Sequence, residues 1–177
     1  MRWVLGIAGL LLALVLIGAV IGYTLPKSHV ASASARFGAP PDSIWASLTD
    51  VTAFPNWRPG VTRVELLPDD NGQRGWRELG KHDAVTYRVV ESVAPRRLVT
   101  RIADQNLPYG GRWSYELTPD GAGTRLTITE NGEVYNPIFR FVSRFFLGYT
   151  STMEGVLRAL GTKHGETVAP TPAPIAS

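Results

Sequence analysis

The sequence contains no cysteine, which excludes disulfide scaffolds, thiolate-ligated zinc, iron–sulfur clusters and thiol nucleophiles. Histidine is nearly as scarce. His29, His82 and His164 stand far apart and in no metal-ligand spacing, so no metal site is expected. Also absent are a Gly-x-Ser-x-Gly elbow, a phosphate-binding glycine loop, a dinucleotide fingerprint and a His–Glu metal motif, and with them the usual signatures of a bound cofactor. Charge is sparse and close to balanced, with 18 Lys+Arg against 15 Asp+Glu and a net charge of +3. The basic residues are scattered, so a nucleic-acid partner has no footprint here.

What the chain does have is one long apolar run. No charge falls between Arg2 and Lys27, and 18 of the 23 residues from Trp3 to Leu25 are apolar, the others being four glycines and Thr24. As a helix the run extends roughly 33–35 Å, against about 30 Å for a bilayer core. Trp3 and Tyr23 sit near its ends, at headgroup level. A cleaved signal peptide is the alternative, with Ala31-Ser32-Ala33 or Ala33-Ser34-Ala35 as the small-residue site. The apolar core is longer than the roughly 7–15 residues of such a signal, and those sites lie well past its end. The expectation is therefore a single-pass cell-membrane anchor over residues 1–26, contacting the membrane through residues 3–25. Arg2 and the amino terminus balance Lys27 and Arg36, so the positive-inside rule assigns no side to the rest.

Residues 166–177, with Pro170, Pro172 and Pro174 at alternate positions, read as a disordered Pro-rich tail. Residues 27–165 remain as one domain, enough for a single core. Within it Ser28–Gly38 alternates as a first strand, and Pro40-Pro41-Asp42 opens a short helix carrying Ile44, Trp45, Leu48 and Val51. Phe54-Pro55-Asn56-Trp57 makes a further turn. Strand-like runs follow at Val61–Leu67, Gly75–Lys81, Ala84–Val93, Arg97–Asp104, Gly111–Thr118 and Thr124–Tyr135, separated by turn residues. Asn136-Pro137 then starts a helix of about six turns, with Ile138, Val142, Phe145, Tyr149, Met153, Val156 and Leu160 in one apolar stripe. Arg140, Arg144, Ser151, Glu154 and Arg158 mark its polar face. Arg140 and Arg144 beside Phe139 and Phe141 invite a membrane-surface reading, but Ser151 and Glu154 share that face, which favours a solvated surface. The class is α+β.

Several words in this order resemble a known superfamily. Pro40-Pro41-Asp42-Ser43-Ile44-Trp45, Thr49-Asp50-Val51 and Phe54-Pro55-Asn56-Trp57 look like the opening of START-like domains. These are the Bet v 1-like or SRPBCC group, and within it the polyketide cyclase/dehydrase family. Gly110-Gly111-Arg112-Trp113, the run Gly123–Glu130 and the terminal helix agree with the same pattern. The resemblance implies a helix-grip fold: a curved seven-stranded antiparallel sheet around a long C-terminal helix, with two short helices after the first strand and an apolar cavity between sheet and helix. Members bind lipids, sterols, quinones, polyketides or plant hormones, and only some are enzymes.

Strand alternation points to the cavity independently. Trp113 and Tyr115 share a face with Leu117, Glu130 shares one with Leu126 and Ile128, Trp76 pairs with Glu78, and Tyr87 with Val85 and Val89. Gly148, Thr152 and Gly155 leave room on the helix. The expected lining is Trp57, Trp76, Tyr87, Trp113, Tyr115, Phe145 and Tyr149, with Glu130 and either Arg101 or Glu78 as polar markers. Core filling competes for the aromatics, a solvated strand end for Glu130, and cross-strand pairing with Glu91 or Glu116 for Arg101. The leading expectation is a membrane-tethered carrier for a hydrophobic small molecule of lipid, quinone or polyketide class. The alternatives are a cyclase/dehydratase-type enzyme using a buried Glu130 carboxylate, and a protein-interaction module.

Overall fold

The computed structural model describes residues 2–174. Helix α1 (Arg2–Thr24) is apolar on every face and its side chains are exposed, except where Gly18 and Gly22 are buried against a later helix. Among the described residues it is the one helix long and apolar enough to cross a membrane, a test that a signal sequence passes equally.

Strand β1 (Ser28–Phe37) follows, and its alternation turns Ala33, Ala35 and Phe37 into the core. Helix α2 (Pro41–Thr49) starts on a proline with Asp42 in its first turn, and buries Ile44 and Leu48. A 3-10 turn (Val51–Asn56) then buries Phe54. Six antiparallel strands come next: β2 (Arg63–Asp70), β3 (Gln73–Leu79), β4 (Ala84–Val93), β5 (Arg97–Ile102), β6 (Tyr109–Asp120) and β7 (Gly123–Val134). The sheet order is β2-β3-β4-β5-β6-β7-β1, so the first strand closes against the last of the meander. This is the helix-grip arrangement, with the helices against one face of a large antiparallel sheet.

The closing helix differs from the expected six continuous turns. Helix α3 (Pro137–Val142), capped by the Asn136 side chain on the Phe139 N–H, passes into a π-helical turn (Ser143–Leu147). It stops at Gly148, whose φ of 71° is a left-handed conformation that glycine adopts without strain. A separate helix α4 (Ser151–Lys163) then runs down the sheet. Met153, Leu157 and Leu160 of α4 are fully buried with Ile44, Phe37, Leu126 and Ile128. Each such side chain contributes on the order of 1.5–3 kcal/mol of transfer free energy. His164 at the end of α4 reaches Ser47 of α2 at 3.1 Å. Arg140, placed by periodicity on a solvated face, is instead 4% exposed, and donates to the Leu25 carbonyl at 2.7 Å and the Tyr135 carbonyl at 3.2 Å. Two carbonyls left free where α1 ends and α3 begins take up its donors.

The tail also departs from expectation, although its last residues, 175–177, lie outside those described. Glu166 accepts the Gly38 and Ala39 backbone N–H groups at 2.7 and 3.2 Å, Val168 packs on the core, and Thr171–Pro172 form a two-residue strand β8 paired to β1 at Ala33 and Ser34. Proline spacing signals extension correctly, but an extended segment still docks where its remaining polar groups find partners. Replacing Glu166 with Ala is expected to cost roughly 1–2 kcal/mol, the lower range for hydrogen bonds to a partly exposed charge. That is a fall in melting temperature of about 3–6 °C for a domain of this size. Thermal denaturation of the full chain measures it, and an unchanged midpoint would show the tail to be unattached.

Candidate functional site: a cavity under the interrupted helix

The core fills only one end of the sheet. Along β6 the inward row runs Leu117, Tyr115, Trp113, and along β7 it runs Leu126, Ile128, Glu130, paired across the strands. The first two members of each row are core; Trp113 and Glu130 are the first to meet open space. Between them and residues 139–156 lies a cavity of ≈ 430 Å³. Val85, Tyr87, Thr100 and Ile102 form one wall, and Phe139, Ser143, Gly148, Tyr149, Thr152 and Val156 the other.

Two polar groupings face into it. At one, His29 stacks on Tyr149 with ring centroids 3.8 Å apart, and its Nε2 lies 3.9 Å from the Glu130 carboxylate. Burial raises the Glu130 pKa above the usual carboxylate range, an effect the Trp113 indole partly offsets. Burial lowers the His29 pKa below its ordinary value. Both shifts favour the uncharged forms. At the other, Arg58 forms an ion pair with Glu78 at 3.5 Å, each side chain at most a tenth exposed. The Trp76 indole donates to Glu78 at 2.9 Å, and the Arg58 guanidinium lies 4.9 Å from the Phe54 ring centroid. Burial works against the Arg58 charge, yet Tyr115, Glu78 and Tyr87 around it hold its pKa above the ordinary arginine value. Burial likewise raises the pKa of Tyr87 and Tyr115 and keeps both hydroxyls protonated.

Of the residues singled out in the sequence, Tyr87, Trp113, Glu130 and Tyr149 line the cavity, as does Glu78, the second polar candidate. Tyr115 stays in the core beneath Arg58, and Trp76 stacks behind Tyr87 with centroids 5.6 Å apart. Trp57 packs edge-on to Phe54 at the core's margin, and its indole nitrogen is buried without a partner among the described residues. Arg101 lies outside, between Arg88 and Arg112 in register, 3.5 Å from the Gln73 amide; Glu91 and Glu116 pair with Arg97 instead. Phe145 is 57% exposed, against Phe141. Ile138, earlier on the same expected stripe, is also exposed at 43%, while Arg140 and Ser143 are buried, so α3 presents a different face to the domain from the one its apolar repeat marks.

Within the two polar groupings, His29 and Arg58 escaped the sequence reading. His29 continues the β1 row of Ala31, Ala33 and Ala35 by one more alternation, so its inward position was available from spacing. Arg58 follows a 3-10 turn, where no periodicity marks a direction. No cluster of His, Asp or Glu able to hold a metal occurs among the described residues.

Comparison with solved structures returns this fold in several proteins. A di-domain ARO/CYC, StfQ, from the steffimycin biosynthetic pathway superposes with a TM-score of 0.63 at 12% identity, covering 76% of this chain and 50% of that one. The chain thus spans half of that two-domain protein. A START superfamily protein from Mycobacterium smegmatis gives 0.61 at 18% identity, covering 76% and 96%. The Zhui aromatase/cyclase from Streptomyces sp. R1128 gives 0.58 at 16% identity, covering 75% and 91%. At such identities the likeness is one of fold. No curated protein matches the chain. The family described as polyketide cyclase / dehydrase and lipid transport matches residues 28–165, and the chain belongs to that family.

Proposed function

We propose that the chain is a membrane-tethered binding or carrier domain for an uncharged hydrophobic molecule bearing oxygen acceptors, of lipid, quinone or polyketide class. The observation that carries the reading is the cavity between the sheet and the interrupted helix, whose buried ions Arg58 and Glu78 are paired with each other. Arg58 is neutralised by Glu78, and Glu130 and His29 are biased to their uncharged forms, so the buried part of the cavity favours an uncharged guest; Arg112, Asp83 and Glu133 stand exposed at its rim. Glu130, when protonated, and the Tyr87 hydroxyl offer donors to a carbonyl or ether oxygen. The aromatic rings supply the apolar contact.

The tether reading draws on β1. Ala33 and Ala35, where a signal peptidase would cut, are 0% and 2% exposed in mid-strand. Cleavage after Ala33 or Ala35 would remove most of β1, a ten-residue strand paired to β7 along its length. The test uses the full chain in vesicles containing a photoactivatable diazirine analogue of a long-chain quinone. Peptide mapping is expected to find label on β4 and β6 around Tyr87 and Trp113, displaced by excess unlabelled quinone and reduced by Thr152→Trp at the cavity rim. Label confined to α1 would overturn the binding reading.

One observation favours an enzymatic second reading, the approach of His29 to Glu130 beside Tyr149. A protonated carboxyl next to a neutral imidazole is a donor–acceptor pair suited to enolisation and loss of water from a polyketone. In that case Glu130→Gln abolishes turnover while quinone-analogue labelling persists.

The same pair sets a pH dependence. The Glu130 pKa is higher in the folded chain, so on raising pH the unfolded chain loses this proton first. Folded protein then binds more protons, and stability falls as pH climbs from about 4.5 through the raised value. His29 acts oppositely: its folded pKa is lowered, so stability is lost as pH falls through about 6.5. Glu130→Gln is therefore expected to match the wild type at about pH 4 and to gain on it progressively above that, levelling once the folded carboxyl ionises. Melting curves across this range check it. A variant less stable than the wild type at neutral pH would mean that the site favours the carboxylate.

A further inference from the structure

The lower part of α1 is not free of the domain. A Cβ placed on Gly22 would fall 1.8 Å from the Pro137 carbonyl oxygen, and one on Gly18 would fall 3.3 Å from the Phe141 ring. At Gly22 only glycine allows α3 to lie this close, in the manner of small-residue contacts between membrane helices, and at Gly18 a larger residue would press on the Phe141 ring. The two contacts also give a direction. As α3 advances from Pro137 to Phe141, its neighbour on α1 recedes from Gly22 to Gly18, so α3 runs antiparallel to α1 and back along the apolar run. Gly18 lies seven residues before Leu25, about 10 Å down the helix at 1.5 Å per residue. Phe141 sits at that level, and the π-helical turn carries the chain further in the same direction.

The residues met there fit no aqueous surface. Ile138 is 43% exposed, Phe145 57% and Phe146 73%, with Phe141 ring centroids 5.1 and 5.9 Å from those of Phe145 and Phe146. Such a cluster is an exposed apolar patch rather than a scatter of single residues. The two basic residues of the segment do not oppose burial in lipid. Arg140 turns its two terminal nitrogens onto the Leu25 and Tyr135 carbonyls, toward the domain, while its buried Nε has no partner among the described residues. Arg144 is exposed on a long side chain that can reach phosphate while its stem stays apolar. The opposite side of the same segment carries Phe139 and Ser143, which wall the cavity.

We propose that residues 137–147 dip into the leaflet nearest the domain, alongside α1, with Phe145 and Phe146 in the acyl region, so that one wall of the cavity is a membrane-embedded element. This rests on α1 spanning the bilayer. The occupant of the patch is the leaflet itself, because the packing at Gly18 and Gly22 fixes the patch beside the apolar run. A partner protein's helix is the competing occupant. The placement sets aside the solvated-face reading of Arg140 and Arg144: Ser151 and Glu154, which supported it, lie on α4, beyond the break at Gly148.

The absence of cysteine makes the test direct. Three single-cysteine variants of the full chain, Phe146→Cys, Leu12→Cys in α1 and Ala122→Cys in the β6–β7 turn at the far end of the sheet, are labelled with the fluorophore NBD. Each is reconstituted in phosphatidylcholine vesicles with or without brominated acyl chains. Label at 146 is expected to emit to the blue of label at 122, to resist aqueous iodide, and to lose about half its intensity or more in brominated lipid, as label at 12 does, because the ring sits below the headgroups. If label at 146 behaves like label at 122 while label at 12 is quenched, the anchor stands and the insertion is overturned. Protection of 146 from iodide without quenching by bromine overturns it in favour of a protein partner. If label at 12 is also unquenched, the spanning reading itself fails, and the insertion with it.

Discussion

A helix running unbroken from Pro137 to Lys163 would carry its apolar stripe along the whole concave face of the sheet and fill it. The π-helical turn at Ser143–Leu147 and the left-handed Gly148 prevent this. Below the break, α4 presses Met153, Leu157 and Leu160 into the sheet and makes a dry core. Above it, the chain swings away, and the same inward rows of β6 and β7 that end in core side chains continue into open space. Space not filled by side chains forfeits dispersion contacts on both of its walls. The interruption therefore lowers packing at one end of the domain, and the well-packed other end offsets it.

The charges in that space follow the same economy. Burying Arg58 and Glu78 together is tolerable because the pair is 3.5 Å apart, Trp76 donates to the carboxylate and Phe54 lies beside the guanidinium. Removing either partner would strand the other, which is the costly arrangement for buried ions. Glu130 and His29 meet the problem differently, each shifted toward its neutral form.

Much of this was legible in residue order because strands alternate strictly. Tyr87, Trp113 and Glu130 were placed on the inward face by counting in twos, and the same count, taken one step further along β1, reaches His29. Helical counting found the repeat but not the face it presents. Ile138 and Phe145 fall on one 3.6-residue stripe and both are exposed, because α3 turns Arg140 and Ser143 inward instead. Arg58 and Glu166 were opaque for another reason. Each acts from irregular backbone, where direction is set by the partner it meets (Glu78 in one case, the Gly38 and Ala39 amides in the other). Arg140 shows how far charge type misleads, since its guanidinium is buried by two carbonyls that no pattern advertises.

The two-residue strand β8 has a consequence for crowding. Two copies of a chain that meet edge to edge can pair whatever strand edges lie open. One edge, β2, is guarded by Arg63, Glu65, Pro68, Asp69 and Asp70 and by a bulge. The other, β1, is rich in small residues and has no such guard of its own. Thr171 and Pro172 lie across its middle, the Ala173 N–H takes the Ser32 carbonyl, and Pro172 has no N–H to offer outward. Residues 171–173 thus occupy backbone groups at the middle of β1 that would otherwise lie open along that edge.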